Sequence, residues 1–413
     1  MEIAKSLLFG ADAIPGSAPG TAGAASGSGV GSIRVIPVSN KNGVYYTKLF
    51  IFAILWLIAP LSVCIIGIAF LPLSLVSHKL FRSAMRHVEK AFGSWVVISG
   101  FLFLPGTELV ITGDWEGMNN TEKTVVMANH QVYPDWMYLW YLAWHRNSHG
   151  DLRIVLIKVL SLLPFFGPGM QLFEWIFLNQ KLEKDRAIIK SNLEAARKDT
   201  GLPLWLLIFP EGTLNTPGNV AKSRKYAEKM DIAPHPKHCI LPKSTGLFIA
   251  LQDLSPTVTH LFDITVGYSG VEATQVPFDV LLPDKIFFEN KHPQQIHLHI
   301  QKYKVCDIPG FQANSQTTTS NEEDLKKEFD AWLRGVWIEK DERMVEFYAE
   351  GFMPSVDRLV HVPVVPKWRD WGYYAVFLIS ASVLLPLYFK LAFWILASVW
   401  NSFIHVLLEV VHT

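Results

Sequence analysis

The chain has 413 residues, of which 50% are hydrophobic and only 18% are charged, a composition outside the ordinary soluble class that predicts a membrane protein. Its 37 basic and 37 acidic residues cancel, so no overall field would attract nucleic acid, which is excluded as an expected partner. The three cysteines lack CxxC spacing, which indicates neither a disulfide framework nor a zinc cluster.

A disordered N-terminal arm is predicted for residues 1–45. Residues 11–33 consist mainly of Gly, Ala, Ser and Pro. A segment of this composition does not bury enough surface to offset the entropy that it loses on ordering. Anchoring in a membrane is therefore expected to come from later segments.

A membrane helix followed by interfacial helices is predicted for residues 46–106. Leu49–Val76 is predominantly apolar and long enough to cross about 30 Å of hydrocarbon. In His78–Phe92, apolar residues at helical spacing oppose basic ones, which predicts an amphipathic helix on the membrane surface. A helix packed on the protein core would show the same pattern, and this alternative stays open. Trp95–Leu104 is too short to span, so it is expected to re-enter the bilayer or to pack inside the protein.

The main domain is predicted to occupy residues 107–350. Short β-rich runs alternate with helical periods there, which argues for an α/β fold. The predicted strands are Leu109–Thr112, Val125–Ala128, Ile154–Ile157, Leu204–Phe209, Ile264–Val266 and Ile296–Val305. Runs that are apolar throughout suit strands buried on both faces. We therefore predict a mixed, mostly parallel sheet covered by helices, on a membrane-embedded helical platform.

The C-terminal part is predicted to close the domain and then to return to the membrane. Residues 322–348 have the pattern of a helix with several large aromatic residues. Within residues 351–413, the apolar stretches Tyr373–Phe389 and Leu391–Val411 are each close to membrane-spanning length. They are predicted to form a membrane hairpin, with a shallow interfacial pair of helices as the alternative.

The first polar cluster with catalytic potential is Asn129-His130-x4-Asp135, directly after a predicted strand. Pro134 suits a helix start, so His130 should lie on a loop and Asp135 in the first helical turn. A carboxylate that binds one imidazole nitrogen fixes the tautomer and leaves the other nitrogen to take a proton from a hydroxyl. By itself the spacing is a weak signal, because a capped helix beside a solvated histidine would also show it.

A second polar cluster, Pro210-Glu211-Gly212-Thr213, follows the predicted strand that ends at Phe209. It combines a carboxylate, a conformationally free glycine and a hydroxyl at a strand C-terminus, where active residues of α/β proteins lie. An ordinary turn is the alternative for this segment alone. Two such clusters at strand ends of one membrane protein favour an active site over coincidence.

Together, Asn129-His130-x4-Asp135 and Ile208-Phe-Pro-Glu-Gly-Thr213 resemble the glycerol-phosphate and lysophospholipid acyltransferase family, which includes the 1-acylglycerol-3-phosphate acyltransferases. The similarity covers roughly residues 75–350. Spacing and the segment Trp337–Asp341 look most like the eukaryotic branch, which includes lysocardiolipin and lysophosphatidylinositol acyltransferases. The resemblance implies that residues 107–350 are a catalytic domain that moves a fatty acyl group from acyl-CoA to a lysophospholipid hydroxyl.

The resemblance also implies roles for individual residues. His130 would act as general base on the acceptor hydroxyl, with Asp135 orienting its ring. Glu211, Gly212 and Thr213 would help to hold the glycerol phosphate of the acceptor, with Glu211 contacting a hydroxyl or a cation. Acyl-CoA enters as a substrate, so no metal or other cofactor is expected. The lysophospholipid and the lipid bilayer are the other implied partners.

One position departs from the family pattern. Gln180 stands where the family has a phosphate-binding arginine, and Gln lacks both the charge and the bidentate fork. Phosphate binding is then expected to shift to Lys181, Lys158 or Lys243, although each lysine alone is more often a solvated surface charge. Lys243 is preferred because it follows a short predicted strand, Cys239–Leu241. The departure also keeps open a catalytically silent lipid-binding or membrane-scaffolding protein with the same fold.

Two histidines outside these motifs invite a metal-site interpretation. His297 and His299 alternate with apolar residues, so both should lie on one face of a strand and could share a metal. No third ligand is in evidence in the sequence, and a solvated polar face is the favoured interpretation.

The protein is expected to be integral to a membrane, and the family resemblance points to the endoplasmic reticulum. Basic residues after the first apolar segment favour a cytoplasmic loop there. These are Lys79, Arg82, Arg86 and Lys90. Such a topology would put the acyl-CoA site in the cytosol.

Overall fold

The structure is a computed structural model. It describes residues 41–179, 182–199, 201–255, 257–312, 321–351, 353, 359–380, 382–383, 386, 390 and 394. Most of the predicted N-terminal arm and much of the predicted C-terminal hairpin lie outside these residues.

An eight-stranded sheet forms the centre of the described chain. Its strands are β1 (Glu108–Gly113), β2 (Lys123–Ala128), β3 (Leu152–Ile157), β4 (Ile176–Leu178), β5 (Leu204–Ile208), β6 (Val258–Tyr268), β7 (Gln295–Lys304) and β8 (Val360–Pro363). They lie in the order β4-β3-β5-β2-β6-β7-β1-β8. The β6–β7 and β1–β8 pairs are antiparallel and the other described pairs are parallel. This confirms the prediction of a mixed, mostly parallel sheet.

Helices cover both faces of this sheet, as the apolar strands require. They are α1 (Gly43–Val76), α2 (His78–Phe103), α3 (Asp135–His145), α4 (Phe166–Leu172), α5 (Leu182–Lys198), α6 (Pro217–Lys229), α7 (Ser244–Leu254), α8 (Pro277–Val280), α9 (Pro283–Phe288) and α10 (Glu322–Glu350). One face packs against α1, α2 and α3, and the opposite face packs against α5, α7 and α10. Strand β2 contributes to the hydrophobic core on each face of the sheet. Val126 lies in the first core, which contains α1, α2 and α3, and Val125 lies in the second core, which contains α5, α7 and α10.

Two strands were missing from the sequence-based prediction and one predicted strand does not form. The missing ones, β4 and β8, are only three and four residues long. The segment Cys239–Leu241 is not a strand, because side chains take its backbone amides. Asp341 Oδ1 accepts from the N–H of Cys239 at 3.1 Å, and Ser223 Oγ accepts from that of Leu241 at 3.2 Å.

The long helix α1 contains the segment predicted to cross a membrane. It begins at Gly43, inside the range assigned to the arm, because Asn42 caps it by accepting from the N–H of Tyr45 at 3.0 Å. Within the described chain it is the one helix long and apolar enough to cross a bilayer. Several of its large apolar side chains are exposed, among them Phe50 at 67% and Ile68 at 60%. A soluble protein rarely exposes so continuous an apolar surface.

The helix α2 joins the two segments that were predicted separately as an interfacial helix and a short apolar stretch. Most of it is buried against α1 and the rest of the first core. Its polar side chains are used inside the protein, because Arg82 forms an ion pair with Glu89 at 2.7 Å and Arg86 one with Asp151. The helix therefore packs on the core, which is the alternative that the sequence left open. Two of the basic charges that favoured a cytoplasmic loop are thus neutralised within the fold.

The junction between α1 and α2 is held by His78, which we expect to stabilise the fold most at acidic pH. Its Nε2 lies 2.6 Å from Glu174 Oε1, and its Nδ1 lies 3.0 Å from Asp199 Oδ2. The hydrogen bond to Glu174 is the main cause that raises the pKa of His78, and Asp199 adds to it. A raised pKa gives stability that is fully present below the unfolded value and is lost as the pH rises through the folded value.

Replacing His78 by glutamine should therefore lower the melting temperature in detergent by a few degrees below about pH 6.5, the ordinary histidine value. The difference from the wild type should shrink as the pH is raised. His87→Gln on the exposed side of α2 is the control and should leave the pH dependence unchanged. A constant difference at all pH values would show that His78 acts by packing alone.

The helix α10 closes the domain, as predicted, and is fastened to the sheet by a buried ion pair. Lys340 Nζ lies 2.7 Å from Asp263 Oδ1, and both side chains are fully buried. The sheet continues beyond the predicted domain end at residue 350, because β8 pairs with β1. Residues 360–363, which lie in the range assigned to the membrane hairpin, therefore belong to the α/β domain.

Candidate active site

The two polar clusters predicted from the sequence meet at one edge of the sheet. His130 follows β2, and Glu211 to Thr213 follow β5, which is the parallel neighbour of β2. On the other side of β2, the parallel strand β6 ends at Tyr268. Three adjacent strands thus deliver their C-terminal residues to one place, the usual position of an active site in an open α/β sheet.

His130 and Asp135 form a hydrogen-bonded pair at this edge. His130 Nδ1 lies 2.8 Å from Asp135 Oδ2. The same carboxylate oxygen accepts from the backbone N–H groups of Gln131 at 2.7 Å and Val132 at 3.1 Å. Asp135 is fully buried, whereas the side chain of His130 is 21% exposed. Because the carboxylate accepts from Nδ1, Nε2 keeps a free lone pair and is the nitrogen that can take a proton.

Two further side chains, neither of them predicted as a site residue, fix the pair. The hydroxyl of the buried Tyr268 donates to Asp135 Oδ1, the oxygen that does not face the histidine. The ring of Phe209 stacks on the imidazole of His130, with centroids 4.2 Å apart and planes inclined by 22°. Both carboxylate oxygens and the imidazole plane are therefore held before any ligand binds.

Asn129 secures the start of the same loop. Its side-chain amide donates to the carbonyl of Val266 at 3.0 Å and accepts from the N–H of Val266 at 2.8 Å. This paired bond ties the end of β2 to the backbone of β6. The asparagine of the motif thus has a positioning role, which the residue pattern alone did not reveal.

His130 lies on the wall of a large and mostly apolar cavity of about 890 Å³. Apolar side chains of the membrane-type helix α1, of α2, of β3 and of the segment around α4 form much of its wall. Examples are Val63, Phe92, Ile154 and Met170. A cavity of this size and lining suits a long hydrocarbon chain, since pockets of about 300–1,000 Å³ bury most of a small ligand.

The polar end of the cavity is formed by residues after β5 and before α7. Gly212 has a φ of +65°, a conformation that glycine adopts without strain. Thr213 Oγ1 accepts from Asn219 Nδ2 at 2.7 Å. Lys243 lines the cavity beside Gly212, and its backbone N–H donates to the carbonyl of Pro210 at 2.7 Å. Of the predicted lysines that the structure describes, Lys243 is the one that lines the same cavity as His130.

Glu211 occupies a different position from its neighbours in the motif. Its side chain is 1% exposed and does not line the cavity. Instead, its Oε1 accepts from Trp337 Nε1 at 3.2 Å, so it points toward α10. Burial raises the pKa of Glu211 to about 8, against the opposing effect of the Trp337 hydrogen bond. The structure therefore places Glu211 behind the site, where it joins the motif loop to α10.

The raised pKa of Glu211 predicts a specific pH dependence of stability. An acid whose pKa is raised in the folded state makes the fold less stable as the pH rises from the ordinary pKa of the acid toward its pKa in the folded protein. The wild type should therefore lose several degrees of melting temperature relative to Glu211→Gln between about pH 5 and the folded pKa of about 8. Glu228→Gln, an exposed position on α6, should follow the wild type. Parallel curves for wild type and Glu211→Gln would contradict the burial effect.

The remaining predicted site residues do not join this group in the described structure. Lys158 is exposed and does not line the cavity, and its Nζ lies 6.0 Å from the ring of Phe177. Gln180 and Lys181 lie outside the described residues. Among the predicted phosphate-binding residues that the structure describes, only Lys243 lines the cavity.

The prediction that His297 and His299 lie on a solvated face of β7 is wrong. His297 is buried beside Phe347 of α10, with ring centroids 4.9 Å apart, and burial lowers its pKa to about 4. His299 lies 3.0 Å from Thr112 Oγ1 through its Nδ1. The face is covered because α10 packs across the sheet, which a strand pattern does not reveal. Among the described residues there is no cluster of three side chains that could hold a metal ion.

Comparison with known proteins places the chain among the acyltransferases. A family model described as Acyltransferase matches residues 112–266. An uncharacterised acyltransferase of Schizosaccharomyces pombe is 31% identical over 313 residues, which cover 72% of this chain and 84% of that protein. The 2-acyl-1-lysophosphatidylinositol acyltransferase of Saccharomyces cerevisiae is 32% identical over 265 residues, which cover 56% of this chain and 63% of that protein. Lysocardiolipin acyltransferase 1 of Gallus gallus is 30% identical over 68% of each chain.

Proposed function

Since the chain belongs to the lysophospholipid acyltransferase family, we propose that it transfers a fatty acyl group from acyl-CoA to the free hydroxyl of a lysophospholipid. The observation that carries this proposal is the position of the His130–Asp135 pair. It lies on the wall of an apolar cavity whose polar end is lined by Lys243. This position supports the proposal, because a hydrocarbon chain and a charged head group bound in the cavity would meet beside His130.

In the proposed reaction His130 is the general base. Its Nε2 takes the proton of the acceptor hydroxyl while the hydroxyl oxygen attacks the thioester carbonyl carbon. Asp135 accepts from Nδ1–H and stabilises the imidazolium that forms. When the carbon–sulfur bond breaks, the imidazolium returns the proton to the CoA thiolate. The ester and free CoA are the products, and the enzyme forms no covalent intermediate.

The acceptor is proposed to be held by the polar end of the cavity. A lysophospholipid carries a phosphate, and an ammonium group is a common partner for it. Lys243 supplies that charge from the wall of the cavity, with Gly212 and Thr213 beside it. Relatives named for lysophosphatidylinositol and lysocardiolipin indicate head groups of this class. We include 1-acylglycerol-3-phosphate as a further candidate acceptor.

The apolar part of the cavity is proposed to hold an acyl chain that does not leave the membrane. Pro60 and Val63 of α1 contribute to the cavity wall, and α1 is long enough to cross a bilayer. A chain that passes from the lipid layer to His130 without crossing water avoids a cost of about 0.8 kcal/mol for each methylene group that water would otherwise surround. On the same grounds we propose an integral membrane protein, and on the family resemblance alone we propose the endoplasmic reticulum as its membrane.

The direct test is transfer from labelled acyl-CoA to a panel of lysophospholipids by the purified protein in detergent. The panel holds lysophosphatidylinositol, lysocardiolipin and 1-acylglycerol-3-phosphate, and His130→Ala is run in parallel. Transfer to one head group that disappears in the variant would identify the acceptor and the base together. If transfer persists in the variant, the protein is still an acyltransferase, but His130 is not its general base.

A catalytically silent lipid-binding protein is the competing proposal, and the departure at Gln180 is what supports it. The hydrogen bonds that hold the His130–Asp135 pair favour the enzyme, because a silent protein has no need to hold both carboxylate oxygens and the imidazole plane. If the folded wild type binds lipid but transfers no acyl group to any member of the panel, the protein is a catalytically silent lipid-binding protein.

A further inference from the structure

A second, smaller cavity lies where α2, the end of α3 and the residues before the C-terminal helical segment meet. It has a volume of about 110 Å³ and shares no lining residue with the large cavity. One water molecule takes up about 30 Å³ in the liquid. The cavity therefore has room for a few water molecules, or for one phosphoryl group.

The charged side chains around this cavity are mainly basic. Lys90, Lys367 and Arg369 line it, and none of them has a salt-bridge partner within the described chain. The one carboxylate in the wall, Asp370, is buried and already accepts from Ser94 Oγ at 2.6 Å and from the backbone N–H of Lys367 at 2.7 Å. The fold thus uses the negative charge of Asp370, and Lys367 and Arg369 have no ion-pair partner within the described chain, whereas the charge of Asp151 acts on Lys90.

His149 adds a buried polar atom that lacks a partner. It lines the cavity, is only 5% exposed, and its Nδ1 makes no hydrogen bond in the described structure. Burial, helped by the charges of Lys90, Lys367 and Arg369, lowers the pKa of His149 to about 3. The three cations are therefore close enough to the ring for their fields to act on it. Unpaired buried polar groups are uncommon in folded proteins, and a missing ligand is one explanation.

The surroundings of the cavity indicate a membrane surface. Helical residues 368–380 begin at its wall, and Trp368 is 83% exposed and Trp371 41% exposed. Further along, Val376 and Ile379 are exposed as well, at 52% and 64%. Tryptophan and basic residues at the start of an apolar segment are typical of the interface between bilayer and water. The unpaired cations would then lie at the depth of the lipid phosphates.

We propose that this cavity binds the phosphate group of an anionic membrane phospholipid. The lipid would be a bound ligand rather than a substrate, because none of the residues of the catalytic pair or the large cavity takes part. Lys90, Lys367 and Arg369 would contact the phosphate oxygens, and Trp368 and Trp371 would lie beside the glycerol and the first methylene groups. Choline lipids fit less well, since their ammonium group would approach three cations.

The test is a thermal melt of the full-length protein in lipid nanodiscs, without any acyl donor or acceptor. We expect phosphatidylglycerol in a phosphatidylcholine disc to raise the melting temperature of the wild type by several degrees, since a ligand that binds the folded state stabilises it. Lys367→Gln with Arg369→Gln should remove most of this rise. Arg224→Gln with Lys225→Gln removes the same charges from the exposed surface of α6 and should keep it.

Two results would overturn the proposal. One is a full phosphatidylglycerol effect in the Lys367→Gln, Arg369→Gln protein. The other is an equal rise produced by inorganic phosphate in pure phosphatidylcholine discs, which would assign the cavity to a soluble phosphate. Because no turnover is measured, neither result depends on whether the acyltransferase mechanism is correct.

Discussion

Replacing His130 by alanine is expected to reduce kcat for acyl transfer by about 10²–10⁴, the usual contribution of a positioned general base. The substitution removes the nitrogen that takes the hydroxyl proton, but it leaves Asp135 bonded to Gln131, Val132 and Tyr268. The loop should therefore keep its shape. KM for the acceptor should change little, because the head group and the acyl chain bind elsewhere in the cavity.

This result needs a control for folding and a control for histidine loss in general. The melting temperature of His130→Ala should stay within a few degrees of the wild type, since the side chain is partly exposed. His260→Ala, at the other end of β6, should keep full activity. A large rise in KM with unchanged kcat would contradict a general base and would assign His130 to acceptor binding.

Most of the sheet could be predicted from the sequence because its strands carry the simplest signal. Six β-rich runs predicted β1, β2, β3, β5, β6 and β7, and the helices on both faces followed from the runs that are apolar throughout. The two catalytic motifs were located for the same reason, since each directly follows one of these strands. Local sequence therefore determined both the sheet and the edge of the sheet where the site lies.

The parts of the site that were missed depend on contacts between distant residues. Tyr268 is 133 positions from Asp135, and Trp337 is 126 positions from Glu211. The sequence around each gives no sign of its partner, because a buried tyrosine or tryptophan is an ordinary core residue. Glu211 was accordingly predicted to face the acceptor, whereas the packing of α10 holds it behind the site. Arg82 and His297 were misread for the same reason, since a helix or sheet neighbour buries each of them.

The second large effect is expected from Asp135→Asn, which keeps the shape of the carboxylate and removes its charge. Two backbone N–H groups and the Nδ1–H of His130 all donate to Asp135 Oδ2. The asparagine must therefore turn its carbonyl oxygen toward these three donors and its amide toward the hydroxyl oxygen of Tyr268, which can accept. The histidine tautomer is preserved, so the loss comes from the missing charge beside the imidazolium. A hydrogen bond to a charged group is worth about 1.5–3 kcal/mol and a neutral one about half of that, so the lost charge accounts for about 1–1.5 kcal/mol, or a fall in kcat of about 10-fold.

The double variant separates an effect through the histidine from a general loss of structure. If Asp135 acts by stabilising the imidazolium, His130→Ala with Asp135→Asn should be no slower than His130→Ala alone, because residues that act as a unit are strongly non-additive. Additive losses would mean that Asp135 supports the site by some other route, through the loop or through Tyr268. Rates of the single and double variants, measured on the same acceptor, give the coupling directly. If Asp135→Asn causes no further loss of kcat in the His130→Ala background, Asp135 acts through His130 and is a positioning residue.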